Sequence, residues 1–149
     1  TPLQIASWEG HLSVIQSLIN ENLPPELNAD PNLLNQDGWT ALHFATKYNH
    51  NDVAQWLLKH HANPDIQERL DGNTALHQAV FHQHAELFNT LIKHGAQLDI
   101  QNHKQQTPLN IAQRISKHHP YYERTLIDAL AFDAKQHSID TEDIANSSP

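Results

Sequence analysis

TALHFATKYNH at residues 40–50 returns as TALHQAVFHQH at 74–84, and looser copies stand at 1–11 (TPLQIASWEGH) and 107–117 (TPLNIAQRISK). The opening residues, Thr1, Thr40, Thr74 and Thr107, are 39, 34 and 33 residues apart. A near-constant period of this size means stacked supersecondary units, so it governs how every other residue is read. Each threonine can open a helix, its hydroxyl accepting from a free backbone N–H of the first turn. Pro2 and Pro108 follow at the first helical position, where a missing N–H costs nothing. Leu3, Ile5 and Ala6 recur as Leu42, Phe44 and Ala45, as Leu76 and Ala79, and as Leu109, Ile111 and Ala112. The small Ala lets a short helix lie close to its neighbour. A second helix follows, marked by Val14, Ile15, Leu18 and Ile19, then by Val53, Ala54, Leu57 and Leu58, then by Leu87, Phe88, Leu91 and Ile92. Each helix pair has one apolar face and no means of covering it alone, so the units must stack.

The glycines test this alignment independently. Gly10 falls between two helices, Gly38 and Gly72 fall two residues before a capping Thr, and Gly95 ends a second helix. All are places where the chain turns through positive φ. Gln105 holds the place of Gly38 and Gly72 in the last unit. The long first interval has room for an insertion near Leu23-Pro24-Pro25-Glu26-Leu27, read as a tolerated surface loop or, alternatively, as a loop that touches a partner. In the fourth unit His118-His119-Pro120-Tyr121 interrupts the pattern before a last apolar helix carrying Leu126, Ile127, Leu130 and Phe132.

The period and the Thr-Pro-Leu-His-x-Ala pattern resemble the ankyrin-repeat family. The resemblance implies an all-α solenoid of stacked helix–loop–helix units joined by hairpin loops. It covers residues 1–132, with units starting near 1, 40, 74 and 107 and the last acting as a C-terminal cap. Residues 133–149 lack a core pattern and read as a polar, loosely ordered tail. Because Thr1 caps a helix with no hairpin before it, the expectation is that more solenoid or another domain precedes it in the parent protein.

Composition narrows the function. A net charge of −8 with scattered cations argues against nucleic acid. No apolar run is long enough for membrane insertion. With no Cys there is neither a disulfide framework nor a thiolate metal site, and a reducing, cytoplasmic setting is expected. No phosphate loop, H-E-x-x-H, G-x-S-x-G or kinase set occurs, so no catalytic residue and no cofactor is assigned. The thirteen His are the compositional oddity. His43 and His77 belong to the repeated TALH and should bond around a helix start. His11, His50 and His84 share a turn position, and His60 and His94 share an exposed one near the end of the second helix. The adjacent pairs His60-His61 and His118-His119, and His82-x-His84, lack the spacing of three or four that sets two ligands on one helix face, so no metal is assigned and these side chains read as solvated.

What the resemblance implies for function is another protein as partner, held by hairpin tips and by the concave side of each first helix. At the tips it points to Gln36, Asp37 and Trp39, to Leu70, Asp71 and Asn73, and to His103, Lys104 and Gln106. On the first helices it points to Trp8 and Glu9, Lys47 and Tyr48, Phe81 and His82, and Arg114 and Ile115. The scaffold requires no particular residue at these places, yet Trp8, Trp39, Tyr48 and Phe81 all fall among them, and aromatics are enriched in binding hot spots. Trp56, on a second helix, is expected against an adjacent unit. The other function considered is a recruiting module of a larger enzyme or secreted effector. The Gln-, Asn- and His-rich style is similar to ankyrin effectors of intracellular bacteria, which would place such a chain in a host cytosol.

Overall fold

Each of the four threonines caps a helix, and the described residues form eight α-helices in two parallel rows. The computed structural model describes residues 1–146, and the side chains of all of these except 121, 122, 134 and 137–146. The first row is α1 (Pro2–Glu9), α3 (Ala41–Lys47), α5 (Ala75–Phe81) and α7 (Pro108–Ser116). The second row is α2 (Leu12–Leu18), α4 (Asn51–Lys59), α6 (Ala85–Lys93) and α8 (Pro120–Asn146). Each helix packs on its partner within the unit and on its counterparts in the neighbouring units, and no strand occurs among the described residues. The core runs the length of the stack through Ile15, Leu42, Leu57, Leu76, Leu87, Phe88, Leu91 and Ile111, all essentially inaccessible to water. Val14 and Ile5, which share the sequence stripes, are exposed instead, on the outermost unit. The inserted segment carries a short 3-10 turn, Pro25–Leu27, tied back by Ala29 N–H donating to Leu18.

The polar stretch after 132 does not become irregular. α8 continues through it to Asn146, while residues 147–149 of the expected tail lie outside the described residues. The helix is anchored by Leu126 and Ala129, both buried, with Leu130 and Phe132 packed against the core. Once a first turn is fixed by packing, each further residue adds a hydrogen bond without repeating the nucleation cost, so a helix can run on past its anchored part.

In the first three units the residue three places after the capping Thr does two jobs. Its near end completes a capping box: Gln4 Oε1 accepts from Thr1 N (3.0 Å), and His43 Nδ1 and His77 Nδ1 accept from Thr40 N and Thr74 N (both 3.1 Å). Its far end crosses to the next hairpin. Gln4 Nε2 donates to the Trp39 carbonyl (3.2 Å), His43 Nε2 to Asn73 (3.2 Å) and His77 Nε2 to Gln106 (2.9 Å). The carbonyl at one ring nitrogen and the amide N–H at the other fix both imidazoles as the neutral Nε2–H tautomer.

Three hairpin fingers hang from these bonds: residues 35–39, 68–73 and 102–106. Asn35 N and Asn102 N close their fingers on the carbonyl four residues on, Trp39 and Gln106, whereas Glu68 N reaches five residues on, to Asn73. The second finger therefore holds one more residue, and the side chain inside it is longer to match. Asn35 Oδ1 accepts from Asp37 N and Trp39 N, and Asn102 Oδ1 from Lys104 N and Gln106 N. The buried Glu68 carboxylate accepts from Leu70 N (2.7 Å), Asp71 N (2.9 Å) and Asn73 N (3.0 Å). Neighbouring fingers join through Arg69 N–H to the Asp37 carbonyl and His103 N–H to the Asp71 carbonyl.

This close approach explains the glycines. A Cβ on Gly38 (φ 80°) would come within 2.9 Å of Arg69 N, and one on Gly72 (φ 71°) within 2.6 Å of the His103 ring. Gln105 adopts the same conformation, φ 60°, with a side chain the left-handed region disfavours. Gln105→Gly should raise stability by about 1 kcal/mol, read as a higher thermal midpoint. A lower midpoint would mean that the Gln105 side chain contributes packing that outweighs its backbone strain.

Acid should weaken the stack. Burial pushes the His43 imidazole from 6.5 down to about 4, against the raising pull of the Asn73 carbonyl and of Glu68. Burial also lowers His77. Burial would raise the Glu68 carboxyl, but the N–H groups of Asn73, Leu70 and Asp71, with His43 nearby, outweigh it and hold the group below its ordinary 4.5. Above pH 6.5 both states of His43 are neutral; below it the unfolded ring takes a proton that the folded ring refuses, so stability is lost from pH 6.5 down to about 4. The Glu68 contribution is present above 4.5 and is lost as pH falls through the lower folded value. The slope from a fully excluded imidazole is on the order of 1 kcal/mol per pH unit. His43→Gln, which copies Gln4, should flatten the fall in thermal midpoint between pH 6.5 and 4. An unchanged slope would show that the folded ring accepts the proton.

Candidate functional site

The fingers and the first-row helices form the walls and floor of a groove, and the expected contact residues distribute unevenly over it. Trp8 and Tyr48, at the ends of α1 and α3, are exposed and lie with ring centroids 6.0 Å apart. Lys47 bridges from Tyr48 to Trp39, its Nζ 5.6 Å from the first ring and 5.1 Å from the second. Trp39 is half-buried: it packs on Phe44 at 5.1 Å and on His43 at 5.8 Å, so it supports the first finger as well as facing the groove. Phe81, on α5, is 43% exposed and shares a depression with Trp39.

That depression has a volume of about 280 Å³ and lies across the second and third fingers and α5. Asp71 and Lys104 line its rim and pair with each other at 3.8 Å. Asn73 lines it too, but its carbonyl receives His43 and its Oδ1 receives Asn102 Nδ2 (3.0 Å), so much of its polarity is spent inside the scaffold. His82 stands beside Lys47 and 5.6 Å from the His84 ring; burial, then His84, then Lys47 lower its pKa, which favours the neutral ring. Gln78 also lines the depression and was not among the expected residues. The signal for it in the sequence was a polar residue where the other units carry Ile5, Phe44 and Ile111.

The remaining expected residues lie outside this depression. Glu9 turns toward His11, 3.2 Å away and exposed. Leu70 protrudes from the second fingertip at 82% exposure, Asp37 occupies the first fingertip, and Arg114 is exposed on the last turn of α7. Gln36, Leu70 and Gln106 give their carbonyls to Arg69, His103 and His77.

Two histidines read as exposed are bonded within their own helices. His60 Nδ1 donates to the Trp56 carbonyl (2.8 Å) and His94 Nδ1 to the Thr90 carbonyl (2.9 Å), one turn back on their own helices. A ring at a helix C-terminus can reach back to a carbonyl of the last turn and share it with its own backbone N–H, and local spacing alone does not reveal this. His50 Nε2 donates to the Trp8 carbonyl (2.9 Å) and His84 Nε2 to the Lys47 carbonyl (3.2 Å), each joining one unit to the unit before it. Trp56 stacks on His60 at 4.3 Å and donates to the Ile19 carbonyl of the adjacent unit. Among the described residues no three His, Asp or Glu side chains converge as a metal site would require, and no helix is long and apolar enough to cross a membrane.

Comparison with known proteins agrees with this architecture. Residues 3–102 and 56–140 match the family described as ankyrin repeats (3 copies). A 67-residue stretch, 45% of the chain, is 39% identical to neurogenic locus notch homolog protein 1 of Danio rerio, of whose length it spans 2%. With the family match extending over most of the chain and four capped helix pairs stacked in the structure, the chain belongs to the ankyrin-repeat family.

Proposed function

We propose that this chain is a protein-interaction module that holds a partner protein along the fingertips and the groove floor, and that it catalyses no reaction of its own. The observation that carries the reading is the row of accessible aromatic rings. Trp8 at 51%, Tyr48 at 42% and Phe81 at 43% exposure are large apolar surfaces left in water while the core beneath them is closed. Exposed aromatic area of this kind is costly to leave wet and is enriched where partners dock. Their backbone positions are fixed by the capped helices, so little ordering entropy would be lost on binding. Family membership supports the same reading, and the absence of Cys suits a reducing cytoplasm. We extend the proposal to the division of the chain into a repeat domain at 1–132 and a following segment at 133–149.

The test compares affinity capture from a cell lysate by the native chain and by Trp8→Ala, Tyr48→Ala and Phe81→Ala. Each truncation should weaken binding by about 2 kcal/mol, roughly thirtyfold, with little change in thermal midpoint. Trp39→Ala should lower both, since its ring also packs on Phe44. The stability benchmark is Leu57→Ala or Leu91→Ala, buried truncations expected to cost about 2–5 kcal/mol. Exposed-aromatic variants that capture the same protein as strongly as the native chain would move the binding surface elsewhere.

A further inference from the structure

Gln78 breaks the rule of its own position. Four residues after each capping Thr the other units place Ile5, Phe44 and Ile111, whereas the third unit places a glutamine that is only 6% exposed. Its Oε1 is buried without a hydrogen-bond partner. A buried, unpaired amide is disfavoured, and an aliphatic residue would serve the stack better. The side chain lines the depression between the fingers and α5, so the partner it lacks inside the fold can come from outside it.

A second group in the same depression also lacks a partner. Ion pairs among the described residues join His11 to Glu9, Lys104 to Asp71 and Arg124 to Asp128, leaving Lys47 with no carboxylate. Its ammonium is instead held above the Trp39 and Tyr48 rings, which keeps the charge at the groove surface. On a chain of net charge −8 this is a local cationic point with apolar walls.

We propose that the depression receives an acidic side chain from an extended segment of the partner protein, its carboxylate paired with Lys47 and its backbone bonded by the Gln78 amide, with Trp39 and Phe81 against its methylenes. This rests on the interaction-module reading and names the chemistry it selects. The amide offers a donor and an acceptor, which is what a residue within a peptide needs and a free carboxylate does not. One uncommitted lysine beside the Asp71–Lys104 pair suits a singly charged carboxylate; a doubly charged phosphate would be repelled by Asp71 and would lack a second free cation.

The experiment selects a phage-displayed random dodecapeptide library on the native 1–149 chain and measures the enriched peptides against variants. The expected peptides carry Glu or Asp at a fixed distance from an aromatic or aliphatic residue. They should lose about tenfold or more in affinity on Lys47→Gln, on Gln78→Ile, and when their own acid becomes its amide. Gln78→Ile should at the same time melt at or above the native midpoint, because it restores the apolar residue of the other units. Peptides that need Tyr48 and Phe81 but are indifferent to Lys47→Gln and Gln78→Ile would overturn this inference and leave the interaction module standing. Peptides that depend on no groove residue would overturn both. A Gln78→Ile chain that melts well below the native one would show that the amide serves the scaffold, which also overturns the inference.

Discussion

The stack depends on a side chain that can cap one helix and reach the next hairpin at once. Gln4, His43 and His77 each accept a backbone N–H at the start of their own helix and donate to a carbonyl at the base of the following finger. A helix N-terminus leaves free donors, and the carbonyl that closes each finger keeps a second lone pair, so one planar side chain bonds both. Burial of the fingers' base then becomes affordable in hydrogen-bond terms, and the apolar faces of neighbouring units can close. An imidazole suits this because its two nitrogens are fixed on opposite sides of a rigid ring. The same geometry requires the ring to stay neutral, which ties the cohesion of the array to pH.

The elements that were legible in the sequence are those whose signal is local. A capping Thr, a Pro at the first helical turn and an apolar stripe all act within one turn of helix, so they placed the helices and the order of stacking. Long-range pairing left weaker traces. The C-terminal bonds of His60 and His94 need the ring's direction, and Glu68 carries no local signal, its role resting on the extra residue in its finger and on what the longer side chain reaches. The helix through 133–146 was missed because an apolar stripe is the usual signal for a helix, and among the described side chains the anchoring ones lie before it.

The groove was legible in part for the same reason. Trp8, Trp39, Tyr48 and Phe81 stood out as large rings at places the scaffold leaves open, but the sequence did not distinguish their roles. The structure divides them: Trp39 is half committed to Phe44, while the other three present more of their surface to water. Gln78 escaped because a polar residue in a helix reads as solvent-facing unless the neighbouring units are aligned beneath it. Only its burial turns an unremarkable glutamine into a group that needs explaining.

On the proposed function, stability and recognition fall to different atoms of the same unit. The capping and reaching side chains point along the stack and are saturated by the backbone. The groove-facing residues beside them keep unused capacity: an amide without a partner, an ammonium without a carboxylate, and rings with one face in water. Such capacity is disfavoured in an isolated chain, and it persists here where the middle finger is bonded to both of its neighbours and cannot collapse to consume it. Saturated bonds along the axis therefore permit unsaturated groups across it, and a change that loosened the fingers would remove the binding geometry before it removed the fold.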